Sequence, residues 1–351
     1  MKPQDLVRPE ILTLKAYHVP SAEGMVKLDA MENPYALPED LRRELAAALS
    51  RVELNRYPSP NPQKLREEIA RRMGVPRGMQ VLLGNGSDEL ITMVITALAR
   101  PGAAAMFPSP TFVMYGMSST FAGMRPIAVP LRDDYSFDAD EFIARMRAEK
   151  PAVVFLAYPN NPTGFLYPEA DIVKVIRACE GLVVLDEAYH AFAGKSFMPR
   201  LAEFDNLVVI RTMSKLGLAG IRLGYLAARP EWVEQFDKVR PPYNVGVLTQ
   251  AAALFLLDKL DVLEAQAARI RADRESLGRS LAALKGVTVF PSQANFILLR
   301  VPDADRTFRA LKQQNVLVKN LHPGLAGCLR VTVGTPEENR ILLTALKEAL
   351  K

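Results

Sequence analysis

The chain has 351 residues, of which 49% are hydrophobic and 24% charged, with a formal net charge of +5. This composition is typical of a globular protein long enough for two domains. Its lysines and arginines form no basic block, which argues against nucleic-acid binding. Neither of the two cysteines has a nearby partner of the metal-ligand kind, and the chain has only three histidines, so a zinc site is improbable. The N-terminus has no apolar signal core, and no apolar run is long enough to cross a bilayer, so we expect a cytoplasmic enzyme without metal or membrane.

Residues 1–45 are expected to form an N-terminal arm and the segment that follows it. Pro3, Pro9 and Pro20 disfavour long helices and strands there. Asn33 precedes a proline, which predicts a turn. A helix is predicted over residues 38–49 and a second over residues 63–73.

A proline-rich loop at residues 56–62 separates these two predicted helices. Its three prolines exclude regular structure, so its aromatic residue, Tyr57, is expected at the surface. Composition alone favours local packing of this ring over a contact with another group.

From residue 81, short apolar runs alternate with helical patterns. Continuous apolar runs such as residues 152–157 are typical of parallel strands covered on both faces. We therefore predict a doubly wound, mostly parallel sheet within a large domain over residues 46–250. The predicted strands lie at residues 81–83, 103–107, 127–129, 152–157, 182–185, 207–210 and 223–228.

Polar side chains follow several of these strands, at the sheet edge where ligands bind in such folds. Gly86, Ser87 and Asp88 open a helix, whose backbone N–H groups attract an anion, although Ser87 could simply cap the helix. Asp186 ends a buried strand, where a carboxylate needs a cation or caps a helix. Lys215 follows the next strand, where partial burial would make its amine a nucleophile toward a carbonyl.

Ser214 and Arg222 flank Lys215 with a hydroxyl and a guanidinium, both suited to phosphate. A reactive lysine beside a phosphate site suggests covalently held pyridoxal phosphate. A surface loop with ordinary basic residues is equally compatible with this fragment alone.

The last hundred residues are expected to form a smaller α+β domain over residues 251–351, with the N-terminal segment as part of it. A long helical stretch is predicted at residues 251–284. Partly alternating patterns at residues 286–290, 295–300 and 328–333 predict an antiparallel sheet.

Three motifs in chain order resemble those of the fold-type I, aspartate-aminotransferase superfamily of pyridoxal-phosphate enzymes. They are Tyr158-Pro-Asn-Asn-Pro-Thr-Gly164, Asp186-Glu-Ala-Tyr189, and Ser214-Lys215 with Arg222. Within that superfamily the chain is most similar to the histidinol-phosphate aminotransferases. That similarity rests on Met31-Glu-Asn-Pro-Tyr35, Arg56-Tyr-Pro58, Arg211-Thr-Met-Ser-Lys215, Leu218-Ala-Gly-Ile-Arg222 and Leu329-Arg-Val-Thr-Val-Gly-Thr335.

The resemblance implies pyridoxal 5'-phosphate as cofactor and assigns roles to particular side chains. Lys215 would bind the cofactor covalently and move a proton as base and acid, and Asp186 would pair with the ring nitrogen. Asn161 and Tyr189 would hydrogen-bond the ring's phenolate oxygen, and Phe112 would stack on the ring. The phosphate would be held by Gly86, Ser87, Thr212, Ser214 and Arg222, and Asp88 would also belong to the cofactor-binding residues.

For the substrates, the resemblance implies a phosphorylated amine and a dicarboxylate keto acid. Arg330, Lys319, Tyr17 and Asn33 would line their site, and Tyr57 would reach the cofactor phosphate of a neighbouring subunit in a homodimer. The family commonly has tyrosine at the position of Phe112 and arginine at that of Lys319. The alternatives are a threonine-phosphate decarboxylase, an aromatic amino acid aminotransferase and a non-catalytic binding module.

Overall fold

The computed structural model describes residues 1–16 and 20–351, and Tyr17 lies outside the described residues. Within them the strands form two sheets. The strands are β1 Val26–Leu28, β2 Gln80–Asn85, β3 Ala104–Ser109, β4 Arg125–Pro130, β5 Val153–Ala157, β6 Leu182–Asp186, β7 Leu207–Thr212, β8 Leu223–Ala228, β9 Thr288–Val289, β10 Phe296–Arg300, β11 Val316–Asn320 and β12 Cys328–Thr332.

The α-helices occupy the intervals between strands and the two chain ends. The helices predicted at residues 38–49 and 63–73 are α2 and α3, each within one residue of the predicted bounds. They are α1 Pro9–Leu12, α2 Glu39–Leu49, α3 Gln63–Arg72, α4 Ser87–Leu98, α5 Met114–Phe121, α6 Ala139–Glu149, α7 Glu169–Ala178, α8 His190–Ala193, α9 Pro230–Asp237, α10 Val247–Leu257, α11 Leu260–Ala282, α12 Ala304–Gln313 and α13 Pro336–Ala349.

The larger sheet has the strand order β2-β8-β7-β6-β5-β3-β4 in the described part of the chain. The neighbours from β7 to β4 pair in parallel, as the continuous apolar runs predict. Strand β8 runs antiparallel to both β7 and β2. Arg222 was expected beyond the carboxyl end of a strand, and it instead precedes the amino end of β8. Because β8 is reversed, that position lies at the same edge of the sheet.

Both faces of the large sheet are covered, which explains its fully apolar central strands. Alternate residues of β5 fall into two apolar clusters, because successive side chains point to opposite faces. Val154 and Leu156 pack in the cluster that contains α6 and α7. Val153 and Phe155 pack in the cluster that contains α4, α5 and α9.

The smaller sheet has the order β1-β11-β12-β10-β9 within the described residues. Its pairs are antiparallel, as predicted, except that β1 pairs in parallel with β11. No strand was predicted at Val26–Leu28, because three residues are too few to show an alternation of apolar and polar side chains. The N-terminal segment thus supplies an edge strand to this sheet.

The helical stretch predicted at residues 251–284 is two helices, α10 and α11. They are separated at Asp258 and Lys259, where polar residues interrupt the apolar pattern. Arg274 of helix α11 donates hydrogen bonds to the carbonyl of Phe192 in α8 and to that of Ala294, just before β10. Helix α11 therefore contacts segments that flank both sheets. The domain boundaries at residues 45 and 250 stay predictions. No helix among the described residues is long and apolar enough to span a membrane.

Candidate active site

A pocket of about 570 Å³ opens at the edge of the large sheet where the parallel strands end. Most of its walls come from residues that directly follow those strands, so the chain order of the motifs becomes proximity in space. It is lined by Met31, Ser87, Asp88, Phe112, Tyr115, Ala157, Asn161, Asp186, Ala188, Tyr189, Thr212, Ser214, Lys215 and Arg222.

One end of the pocket is a cradle of phosphate-binding type. Gly86 has φ +80°, and a Cβ there would lie 2.6 Å from Nη2 of Arg222. Only glycine lets the guanidinium approach this backbone so closely. Ser87 begins α4, so the free N–H groups of that helix face the same space. Nη1 of Arg222 lies 3.4 Å from Oγ of Ser214.

Two further side chains border this cradle. Oγ1 of Thr212 lies 3.0 Å from Oγ of Ser214 and accepts a hydrogen bond from its backbone N–H at 3.2 Å. The hydroxyls therefore face each other beside Arg222. Oδ2 of Asp88 lies 3.7 Å from Nη2 of Arg222. Burial raises the pKa of Asp88, and the charges of Arg222 and Lys215 oppose that rise.

Asp186 lies deeper in the pocket, at the end of β6. Its Oδ2 accepts a hydrogen bond from the Tyr115 hydroxyl at 2.8 Å, and its Oδ1 accepts one from the Ala188 N–H at 3.1 Å. Burial raises the pKa of Asp186 to about 6, and both hydrogen bonds counteract part of that rise. The carboxylate is thus kept ionised at neutral pH in an apolar setting and is suited to a cationic partner.

Glu187, the next residue, points to the opposite side of the sheet. It is fully buried and forms an ion pair with Arg211, whose Nη2 lies 2.8 Å from Oε2. The same carboxylate accepts hydrogen bonds from Ser196 Oγ and from the Phe197 N–H. This pair ties the ends of β6 and β7 together, so it fixes the spacing between Asp186 and Lys215 without entering the pocket.

Lys215 lies in an irregular turn, Ser214–Leu218, that follows β7. Its Nζ donates a hydrogen bond to the Ala30 carbonyl at 2.8 Å. Burial lowers the pKa of Lys215 to about 8, with Arg330 the next largest cause. An amine with this pKa is substantially neutral near pH 8, so it can act as nucleophile and base.

Arg330 extends from the small sheet to the pocket wall at Asn161, although it is not itself among the lining residues. Its Nη1 donates to Oδ1 of Asn161, its Nη2 donates to the Asp29 carbonyl at 2.8 Å, and its guanidinium lies over the Phe296 ring. Asn161 is therefore shared between the two sheets. Its neighbour Asn160 is committed to the fold, because it bonds Thr111, Thr163 and the Pro110 carbonyl.

Phe112 and Tyr189 form other walls of the pocket. The Phe112 ring lies edge-on to Tyr115, with centroids 5.6 Å apart. The Tyr189 hydroxyl donates to Sδ of Met31 at 3.2 Å, and its ring lies edge-on to Phe296. Met31 has φ 55°, and this conformation is held because its N–H donates to Oγ1 of Thr332 and its carbonyl accepts from Nδ2 of Asn295.

Five of the described residues expected in the site are not among the pocket's walls. Two of them, Gly86 and Arg330, adjoin the walls through Arg222 and Asn161, and the other three lie elsewhere. Tyr57 is 81% exposed, and its ring stacks on Tyr243. Asn33 was expected to bind substrate, but its amide is consumed within the fold: it donates to the Leu216 carbonyl and to Gln266 and accepts from the Tyr35 N–H. It therefore supports the turn that carries Lys215. Lys319 lies on β11, directly opposite Arg330 on β12.

The model of the family described as aminotransferase class I and II matches residues 23–346. The chain is 56% identical to histidinol-phosphate aminotransferase 1 of Burkholderia lata, over 99% of both chains. It is 53% identical to histidinol-phosphate aminotransferase of Chromobacterium violaceum, over 98% of both chains.

The chain belongs to the class I and II aminotransferases. A crystal structure of histidinol-phosphate aminotransferase from Sinorhizobium meliloti, in complex with pyridoxal-5'-phosphate, is 25% identical to it. The superposition covers 98% of this chain and 97% of that one, and its TM-score is 0.88. The predicted fold class is confirmed, and the protein is a pyridoxal-phosphate-dependent aminotransferase.

The residues of this aminotransferase fit that cofactor. The glycine-lined cradle at Gly86 and Arg222 suits its phosphate, and the buried carboxylate of Asp186 suits a protonated ring nitrogen. Lys215, with its lowered pKa, suits the aldehyde. Between these groups the pocket is flanked by Phe112 and Ala188, which are apolar, as a flat ring requires.

Two parts of this site were not predicted from the sequence. Tyr115 lies three residues after Phe112, at the start of α5, and its N–H donates to the Phe112 carbonyl at 3.3 Å, so the short spacing was a usable signal. The carbonyls of Asp29 and Ala30, which accept from Arg330 and Lys215, are backbone atoms and leave no mark in the sequence.

Proposed function

We propose that this aminotransferase interconverts L-histidinol phosphate and 2-oxoglutarate with imidazole-acetol phosphate and L-glutamate, in L-histidine biosynthesis. The relatives at 53–56% identity carry the name of this activity along their whole length. Their substrates, a phosphorylated amine and a keto acid, are both anionic. The site must therefore present cations near the lysine.

The observation that carries the proposal is the pair Arg330 and Lys319. They are direct partners in the antiparallel register of β12 and β11, so their side chains leave the same face of the small sheet. Like charges in this position repel each other, and an anion between or beside them relieves the repulsion. Arg330 can grip a carboxylate or a phosphate through two N–H groups, and Lys319 adds a second positive charge for phosphate.

The roles of the other residues follow from their placement. Bound pyridoxal phosphate supplies an electron sink for the carbon that carries the substrate's amine. Lys215 Nζ, with a pKa of about 8, removes a proton from that carbon and returns it. Asp186 holds a negative charge opposite the ring nitrogen, and Asn161 and Tyr189 would donate to the phenolate oxygen. Ser87, Asp88, Thr212, Ser214 and Arg222 shape the phosphate cradle.

We further propose that the active unit is a cytoplasmic homodimer in which Tyr57 serves the partner's site. Two observations support this. Tyr57 lies outside the pocket of its own chain, and it stands on an exposed surface that also contains Leu54, 71% exposed, and Tyr243, 42% exposed. Exposed apolar side chains that lie together favour an interface.

The test is half-reaction spectroscopy of the purified holoenzyme with histidinol phosphate, glutamate, phenylalanine and threonine phosphate in parallel. We expect the cofactor spectrum to change rapidly with the first two, and Lys215→Ala to abolish the change. A faster change with phenylalanine would identify an aromatic aminotransferase. Carbon dioxide release from threonine phosphate without a keto acid would identify a decarboxylase, and either result would overturn the proposal.

A further inference from the structure

Tyr115 is a fully buried tyrosine at the floor of the pocket. Its ring stacks on Phe155, with centroids 4.9 Å apart and planes 10° apart, and contacts Phe107 and Phe112 at 6.1 and 5.6 Å. Its hydroxyl donates to Oδ2 of Asp186 at 2.8 Å. If this position needed only an aromatic ring for packing, phenylalanine would serve better, because a buried hydroxyl is costly unless it forms a hydrogen bond.

The carboxylate of Asp186 is held at both oxygens. Oδ2 accepts from Tyr115, and Oδ1 accepts from the Ala188 N–H. Both donors belong to residues that line the pocket, as Asp186 does. A carboxylate oxygen has a second lone-pair site, so each oxygen can still accept from a ligand. The two hydrogen bonds therefore fix the direction in which the carboxylate faces.

We propose that Tyr115 is a positioning residue that aims the Asp186 carboxylate at the pyridine nitrogen of pyridoxal phosphate and keeps it ionised there. This inference rests on pyridoxal phosphate as cofactor, and it is independent of which amine is the substrate. Its failure would therefore leave the proposed substrate untouched.

The physical reason is the apolar surroundings of the carboxylate. Burial favours the neutral acid, whereas a hydroxyl that donates to the ionised form favours the charge. Without the Tyr115 hydroxyl, Asp186 keeps only the Ala188 N–H on the protein side. A protonated or rotated carboxyl group would then face the ring nitrogen, and the nitrogen would lose its charge partner.

The experiment compares two cofactors binding to apoenzyme. One is pyridoxal phosphate, and the other is 1-deazapyridoxal phosphate, in which carbon replaces the ring nitrogen while the aldehyde, the phenolate and the phosphate remain. For Tyr115→Phe we expect about a tenfold to hundredfold weaker affinity for pyridoxal phosphate, the loss typical of a hydrogen bond to a charged group. We expect the affinity for the deaza analogue to change less than threefold.

A matched control is Tyr167→Phe. Tyr167 is also fully buried, and its hydroxyl has no hydrogen-bond partner within residues 1–16 and 20–351. Removing it should change neither affinity. On an Asp186→Asn background, Tyr115→Phe should add little to the loss for pyridoxal phosphate, because both changes act on the same contact.

Equal losses for both cofactors in Tyr115→Phe would show that the ring only packs, and unchanged affinity for both would show that the hydrogen bond has no role. Either result overturns the proposal. If the phenylalanine variant does not fold, 3-fluorotyrosine at position 115 keeps the ring and provides a more acidic donor. The ratio of the two affinities should then shift toward pyridoxal phosphate, and an unchanged ratio would refute the inference.

Discussion

Arg330 on the small sheet donates a hydrogen bond to Oδ1 of Asn161, which follows a strand of the large sheet 169 positions earlier. The second terminal nitrogen of Arg330 donates to the Asp29 carbonyl. One guanidinium thus joins the small sheet, the N-terminal segment and the side chain proposed to bind the cofactor's phenolate oxygen. A substrate anion bound at Arg330, as we propose, would therefore be coupled to the cofactor site through Asn161.

The first prediction concerns this arginine. Arg330→Lys should weaken both half-reactions, because an ammonium cannot bond Asn161, the Asp29 carbonyl and a substrate anion with the same planar geometry. We expect a loss of about 1.5–3 kcal/mol, or roughly tenfold to a hundredfold in kcat/KM, for glutamate and for histidinol phosphate. Arg340→Lys is the control: Arg340 forms an exposed ion pair with Glu337, and the substitution should leave kcat/KM unchanged. Wild-type kinetics with both substrates would contradict the shared-anion role.

The second prediction separates Lys319 from Arg330. If Lys319 contacts only the phosphate, Lys319→Ala should lower kcat/KM for histidinol phosphate about tenfold or more and change that for glutamate little. Lys319→Arg keeps the charge and should retain activity with both substrates. The measurement is kcat/KM of each half-reaction, and equal losses for the two substrates would place Lys319 outside the phosphate contact.

The third prediction tests the glycine cradle. In Gly86→Ala the new Cβ would lie 2.6 Å from Arg222 Nη2, so the guanidinium must move away from the cradle. We expect the apoenzyme to bind pyridoxal phosphate about tenfold or more weakly, because a charge-assisted hydrogen bond is lost. Gly74→Ala is a matched control: Gly74 has φ +70° but no atom within 4 Å of its Cβ position. It carries the same backbone strain and should leave cofactor affinity unchanged.

The large sheet was predictable because burial on both faces makes its strands continuous apolar runs. Strand β5, Val153–Ala157, shows this directly, since all five residues are buried. The polar residues after the strands were predictable for the same reason, because a group such as Asp186 stands out against such a run. The reversed direction of β8 was not, because an apolar run carries no information about strand direction.

The small sheet and its contact with the site were harder to predict from the sequence. Strand β1 is too short for a visible period, and its parallel pairing with β11 joins residues about 290 positions apart. The contacts of Asn33 within the fold were not predictable for a related reason. Its partner Gln266 lies on α11, 233 positions away, so nothing local in the sequence shows that its amide is already used.

The fourth prediction concerns pH and the apoenzyme. The pKa of Asp186 is about 6 in the folded chain, above its ordinary value of 3.8. Protonated Asp186 is therefore preferred on folding, and that stability is lost as pH rises through 6. This difference between the two pKa values corresponds to about 3 kcal/mol of unfolding free energy in total, and roughly half of it is lost between pH 5 and pH 8. Asp186→Asn cannot titrate there.

Urea unfolding of both apoenzymes at pH 5 and pH 8 measures this difference. Relative to wild type, Asp186→Asn should gain about 1–2 kcal/mol of unfolding free energy at the higher pH. Bound cofactor should cancel the effect, because the ring nitrogen supplies the missing cation. A difference that stays constant with pH would mean that Asp186 is already ionised at pH 5.

The last prediction concerns Tyr57, whose ring is 81% exposed and stacks on Tyr243 with centroids 4.6 Å apart. Within its own chain it is not among the pocket's walls. If Tyr57 serves the partner's cofactor phosphate, Lys215→Ala and Tyr57→Ala impair different sites. A hybrid dimer of the two chains then has one site with an intact lysine and an intact tyrosine.

We therefore expect a mixture of the two impaired homodimers, after subunit exchange, to be more active than the average of its parents. At equal amounts and random exchange, half of the dimers are hybrids, and each carries one complete site. Recovery should approach a quarter of wild-type activity. A Tyr57→Phe chain used in place of Tyr57→Ala tells whether the hydroxyl or the ring is needed, because phenylalanine keeps only the stack on Tyr243. If hybrids form, as native mass spectrometry can establish, and activity does not rise, Tyr57 acts within its own subunit.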